Sequence, residues 1–181
     1  MASESVVLQR LIGWVAAPEV DWDAAYSEQL PRVYNFFRYR LGPGADAEDL
    51  TARTFEKAWV ARHRYRRDLG RFSTWVMTIA RRVAIDHLRS RKNHLPLDEG
   101  MDVASGPSPE ELAERRSDAA RLARMLVALP ERERELVSLK YGAGMTNRDI
   151  ARLMGLSESN VGTILHRTVQ QLRAGWDDAG G

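Results

Sequence analysis

From Asn93 to Ser108 the chain reads Asn-His-Leu-Pro-Leu-Asp-Glu-Gly-Met-Asp-Val-Ala-Ser-Gly-Pro-Ser. Two prolines, two glycines and three acids here carry no hydrophobic repeat, so neither helix nor strand is expected to run through. On both sides of this break apolar residues recur three or four positions apart, and strand-like alternation is rare. The break therefore divides the 181 residues into two small helical units joined by a flexible linker, an all-α fold. The expected boundaries are an N-terminal extension at 1–23, a first unit at 24–92, the linker at 93–108, a second unit at 109–175 and a tail at 176–181.

In the first unit, Tyr26, Leu30, Val33, Tyr34, Phe37 and Leu41 form the stripe of an amphipathic helix ending at Gly42-Pro43-Gly44. Asp46-Ala-Glu-Asp49 offers an N-cap and first-turn acids that suit a helix dipole. Leu50, Thr54, Phe55, Ala58 and Trp59 share one face of that second helix. A third is expected from about Ser73, burying Trp75, Val76, Ile79, Val83 and Leu88. Between Tyr65 and Lys92 arginines alternate with aromatics above this stripe. Basic charge with aromatic platforms suits single-stranded nucleic acid, because arginine meets phosphate and an exposed ring stacks on an unpaired base. The same residues also fit a basic amphipathic helix whose Phe72, Trp75 and Ile79 are core, and the spacing leaves both open.

The second unit opens with the helix-start signals Ser108-Pro109-Glu110-Glu111 and a face of Leu112, Ala119, Leu122, Met125, Leu126 and Leu129. Pro130 begins a further helix bearing Leu136, Val137 and Leu139, which stops near Gly142 or Gly144. Thr146-Asn-Arg-Asp149 is a capping box ahead of Ile150, Ala151, Leu153 and Met154. Gly155-Leu-Ser157 turns the chain into a last helix from about Glu158, with Val161, Leu165, Thr168 and Leu172 inward. Helix, short glycine-containing turn, helix is the helix-turn-helix pattern, whose second helix presents its N-terminal residues to base edges in a major groove. An ordinary helical corner is the plain alternative.

Charge and composition narrow the function. The formal net charge is +2, yet residues 61–92 hold ten basic residues against two acids, +8, leaving −6 elsewhere. A basic block in an otherwise acidic chain marks a polyanion-binding face. The chain has no cysteine, which excludes disulfides, thiolate metal sites and a cysteine nucleophile. Its four histidines share no ligand spacing, so neither metal nor cofactor is expected. No catalytic constellation is legible, and Asp86 beside His87 is no dyad, because neighbouring residues on a helix point apart. Without a signal-peptide pattern or an apolar run of membrane-spanning length, a cytoplasmic protein with no membrane insertion is expected.

The order of these parts resembles the bacterial RNA polymerase sigma factors of the extracytoplasmic-function (ECF) group of the sigma-70 family. Leu30-Pro-Arg-Val-Tyr34, Arg40-Leu-Gly42, Asp46-Ala-Glu-Asp-Leu50, Thr54-Phe55, Trp59, Phe72-Ser-Thr-Trp75, Ile79-Ala-Arg81 and Ile85-Asp86 carry it in the first unit. Leu129-Pro-Glu-Arg-Glu-Arg134, Ile150-Ala151, Gly155-Leu-Ser157, Val161 and Leu165-His-Arg167 carry it in the second. The resemblance covers about residues 24–173 and implies a factor that is not itself an enzyme. Such a factor would bind core RNA polymerase, at the beta-prime clamp and beta subunit, and direct promoter-specific initiation. Its other partner would be promoter DNA, double- and single-stranded, and an anti-sigma factor is a further partner the resemblance allows.

By the same resemblance, Asp46, Glu48, Asp49, Phe55 and Trp59 would dock on polymerase. Arg64, Arg66, Arg67, Arg71, Phe72, Trp75, Arg81, Arg82, Asp86 and Arg89 would melt and read the −10 element. Arg148, Ser157, Ser159, Asn160, Thr163 and Arg167 would read the −35 element. Three departures from the family pattern stand out: Ala52-Arg53 in place of Gln-Glu, Arg82 in place of Asn, and Gly162 and Ile164 where a Lys and an Arg are common. The first keeps a competing function in view, a decoy or regulator that binds an anti-sigma factor or DNA without initiating transcription. Residues 1–22 carry Val7, Leu8, Leu11, Ile12, Trp14 and Val15 near helical spacing, either a docking helix or a frayed tail.

Overall fold

The computed structural model describes residues 20–94 and 118–178. The expected extension at 1–19, most of the linker and the helix start at Ser108 lie outside the described residues. Seven α-helices follow one another: α1 (Trp22–Leu41), α2 (Ala45–Val60), α3 (Phe72–His94), α4 (Asp118–Ala128), α5 (Glu131–Val137), α6 (Asn147–Met154) and α7 (Glu158–Asp178). Among the described residues there is no strand, as the missing alternation foretold.

Local chemistry explains most boundaries. Asp21 caps α1, its carboxylate accepting from the Ala24 amide at 3.0 Å. Helix α1 continues through Pro31, whose ring points to solvent, and ends where Gly42 adopts φ +94° and donates to the Arg38 carbonyl. Helix α2 begins one residue before the expected Asp46. Its cap is Gly44, with φ +145° and no side-chain bond, so Asp46 lies in the first turn and caps nothing. Helix α3 likewise starts one residue early, at Phe72. After α5 the backbone widens into a single π turn at Ser138–Gly142, where the sequence reading had one helix running on.

Helices α1, α2 and α3 pack around Val33, Phe36, Phe37, Leu50, Val76, Met77 and Val83, all nearly solvent-free. Thr51 and Thr54 are buried in the same core, their hydroxyls satisfied by the Ala47 and Leu50 carbonyls four residues earlier. Leu136, Leu139, Ile150, Val161 and Leu165 form the centre of the second unit. Of the expected α3 stripe, Val76 and Val83 are buried, whereas Trp75, Ile79 and Leu88 are only partly covered. Met77, Ala80 and Ala84 take the innermost places instead, because α2 and α1 close on the opposite side of that stripe.

The two units do more than share a linker. The π turn lies directly on α1, and a Cβ placed on Gly142 would fall 2.8 Å from the Asn35 carbonyl oxygen and 3.1 Å from the Phe36 Cα. Only glycine permits so close a backbone approach. Arg32 then clamps the same turn, donating to the Ala143 carbonyl at 2.8 Å and the Gly144 carbonyl at 3.1 Å.

Candidate nucleic-acid interface

The basic segment between α2 and α3 is a tight turn with its charges outward. Arg62–Arg64 form a short 3-10 turn, and the Tyr65 hydroxyl donates to the Gly70 carbonyl at 3.1 Å, closing the loop on itself. Arg64, Arg66, Arg67 and Arg71 are all exposed. Arg66 is held by Asp68 in a two-pronged pair at 3.0 and 2.7 Å, which keeps the Asp68 carboxyl below its ordinary pKa. On α3, Arg82, Asp86 and Arg89 are exposed too. Arg81 differs: it is largely covered, and its Nε donates to Glu135 Oε1 of α5 at 2.9 Å.

Phe72 and Trp75 belong to an aromatic cluster. Trp22 meets Phe72 at 5.3 Å, Trp75 at 6.2 Å and Trp59 at 5.7 Å, edge to face. Tyr65 meets Phe72 at 5.4 Å and Trp75 at 5.2 Å. Such contacts are worth about 0.5–1.5 kcal/mol each beyond burial. They anchor the arginine turn to the start of α3, and both rings keep partial exposure. Trp22 and Tyr65 were missed as cluster members, since nothing in their spacing links residue 22 to residue 72.

Of the residues expected to dock on polymerase, Asp46, Glu48 and Asp49 project from the exposed side of α2. Asp46 Oδ2 lies 3.4 Å from Arg91 Nη1 and 3.5 Å from His87 Nε2, so α3 partly neutralises it. Phe55 is half-buried against Tyr26 at 4.6 Å. Trp59 is 52% exposed, with the Arg62 guanidinium 4.2 Å from its ring centroid. Arg53 points to solvent among Asp46, Asp49 and Glu56, which line the same shallow depression.

The helix-turn-helix is sharply defined. Thr146 Oγ1 accepts from the Asp149 amide at 3.1 Å and donates to the Asp149 carboxylate at 2.7 Å, a capping box closed hydroxyl to carboxylate. Gly155 turns in the left-handed region at φ +69°, and Ser157 Oγ accepts from the Asn160 amide at 3.2 Å to cap α7. Val161, Leu165 and Thr168 are buried, the Thr168 hydroxyl donating to the Ile164 carbonyl. Ser159, Asn160, Thr163 and Arg167 are therefore left exposed on the outer side of α7. Ile164 packs against the core, which leaves it no thymine to touch. Arg148 is exposed but lies 3.5 Å from Glu158, a pairing across the turn that the sequence reading missed.

Among the described residues no group of three or more His, Asp or Glu is placed to hold a metal ion, and no helix is long and apolar enough to cross a membrane.

Comparisons with known proteins follow the same division. A sequence model of sigma-70 region 2 matches residues 25–94, and one of sigma-70 region 4 matches residues 119–172. The ECF RNA polymerase sigma factor ShbA of Streptomyces griseus is 32% identical over 182 residues, covering 91% of this chain and 94% of that protein. The ECF RNA polymerase sigma factor BldN of Streptomyces coelicolor is 31% identical over 175 residues, covering 94% of this chain but 66% of its own length. A co-crystal structure of the sigma factor RpoE with the anti-sigma factor NepR from Bartonella quintana shares the fold. Its TM-score is 0.67 at 21% identity, covering 85% of this chain and 95% of that one.

Proposed function

The chain belongs to the ECF group of the sigma-70 family, and from that premise we propose that it binds core RNA polymerase and directs promoter-specific transcription initiation. One observation carries the reading: each family-matched segment folds into a helical unit with an exposed face suited to nucleic acid. In the first unit that face is the arginine turn with Arg82 and Arg89; in the second it is the start of α7. Residues 24–92 act on the −10 element and on polymerase, residues 109–175 on the −35 element, with the linker between them. The work is done in the cytoplasm, where polymerase and promoter are, and the chemistry of RNA synthesis belongs to the polymerase.

The residue roles follow from exposure and charge. The arginine turn holds backbone phosphates of the opened strand, a sequence-independent contact. The Trp22–Tyr65–Phe72–Trp75 cluster positions that turn, and its partly open rings offer an edge to an unstacked base, worth about 1–3 kcal/mol by stacking. Asn160 and Arg167 lie one helical turn and a half apart on the outer face of α7, where Asn reads adenine and Arg reads guanine in a major groove. Ser157, Ser159, Thr163 and Arg148 grip the flanking phosphates. Asp46, Glu48, Asp49, Phe55 and Trp59 form the polymerase-facing side of α2.

Transcription in vitro with purified core polymerase tests this. A promoter-dependent transcript should appear only when the chain is added. The double variant Arg81→Ala, Arg82→Ala should lower open-complex formation more than polymerase binding. Tight binding to polymerase with no promoter-dependent transcript from any genomic fragment would instead make the chain a decoy.

A further inference from the structure

We propose that the Glu135 carboxylate is an internal stand-in for DNA phosphate at Arg81, and that it clasps the two helical units in a closed form that must open before the chain can work. The inference rests on the function proposed above, since it concerns the same arginine.

Glu135 comes from α5, in the second unit, and its side chain is 8% exposed. One of its oxygens receives the Arg81 Nε at 2.9 Å and lies 3.8 Å from Arg40 Nη2, so a single carboxylate sits between two guanidiniums of the first unit. Arg40 is itself 1% exposed, and also donates from Nη1 to the Glu131 carbonyl at 3.1 Å. A carboxylate oxygen and a phosphate oxygen are equivalent acceptors for a guanidinium. Arg81 therefore cannot hold both, and the internal one is already in place.

Geometry adds a second argument. Arg71 and Thr74 of the first unit line one cleft of ≈ 770 Å³ together with Arg148 and Arg152 of the second. Surfaces proposed for two different promoter elements thus face each other across one gap. The −10 and −35 elements are about 25 base pairs apart, which at ~3.4 Å per pair is roughly 85 Å of duplex. A packed body of roughly 150 residues has a radius of gyration of only about 15 Å. The closed form cannot reach both elements at once. Arg40 supplies the reason for the clasp to hold in water: a buried guanidinium with its carboxylate partners withdrawn is strongly unfavourable, whereas in the separated units it would be hydrated.

The experiment uses the full chain, which has no native cysteine. Fluorophores on Lys57→Cys and Gln170→Cys, exposed positions on α2 and α7, report the separation of the units by energy transfer. The chain alone should show high transfer, and core polymerase with promoter DNA should abolish it. Adding Glu135→Gln should raise the open-to-closed ratio of the free chain at least tenfold at unchanged helix content. The same variant should bind a single-stranded oligonucleotide several-fold more tightly than the parent. Unchanged transfer and unchanged oligonucleotide affinity in Glu135→Gln would overturn the proposal.

Should that variant lose its fold, a second test remains. Arg38 and Tyr141 line the cleft between α1 and the π turn, and both are exposed. Cysteines at these positions joined by a reducible bismaleimide should block promoter-dependent transcription and restore it on reduction; undiminished transcription while bridged sinks the clasp. Opening by Glu135→Gln in a chain that yields no transcript in any form would support the clasp and refute the function.

Discussion

The outer side of α7 and the outer side of α3 were read from the sequence by the same logic, yet they differ in how much of that reading is local. On α7, Ser159, Asn160, Thr163 and Arg167 are all exposed on one flank, while Val161, Leu165 and Thr168 fill the other. Helical spacing alone sorts them. On α3 and its preceding turn the residues split three ways. Arg82 and Arg89 face solvent, Phe72 and Trp75 join a ring cluster anchored by Trp22, and Arg81 is taken by Glu135. Partners 50 or more residues away decide the second face. A recognition helix is a self-contained device; the strand-binding face is a shared one.

The largest test of that contrast is Arg40→Met. It removes a guanidinium that is 1% exposed and leaves Glu135 buried beside Arg81 alone. Breaking a buried ion pair from one side costs about 3–5 kcal/mol, and the lower end is expected here because Arg81 still compensates Glu135. Urea denaturation should show the loss. A change under 1 kcal/mol would mean that the two units are coupled far more weakly than their contacts suggest.

Next in size is Asn160→Ala with Arg167→Ala. Both side chains are exposed, so stability should be nearly unchanged while upstream discrimination falls by about 1–3 kcal/mol per lost base contact. Competition binding of holoenzyme to promoters with substituted −35 sequences measures this. Unaltered discrimination would take both residues out of the reading set and remove the clean half of the comparison.

The smallest expected effect is that of Thr146→Ala, which deletes the cap of α6 and its bond to Asp149. Loss of a threonine cap costs about 1 kcal/mol. Thermal melting should report it as a shift of a few degrees, with energy transfer between α2 and α7 unmoved because the cap is internal to its own unit.

These differences mark where the sequence was legible. The all-α character, the capping box at Thr146, the glycine turn at Gly155 and the inward stripe of α7 depend on neighbours within about four residues, and all were readable. The start of α2 was misplaced by one residue because Asp46 has the chemistry of a cap, while Gly44 has the backbone freedom that the chain uses. The ring cluster and the Arg148–Glu158 pair were missed. They depend on which helices meet, and spacing along one helix says nothing of that.

The amino-acid sequence by itself determined that this protein is two helical units, that one carries a dense basic turn, and that the other ends in a helix-turn-helix. Those features follow from hydrophobic period, capping residues and local charge, which act within a turn or two of the chain. Only the tertiary structure decided that Gly142 lets the second unit settle on α1, that Phe72 and Trp75 serve packing as well as exposure, and that Arg81 and Arg40 share Glu135. A buried charge takes whatever partner the fold brings within about 4 Å, however far away that partner lies in the chain.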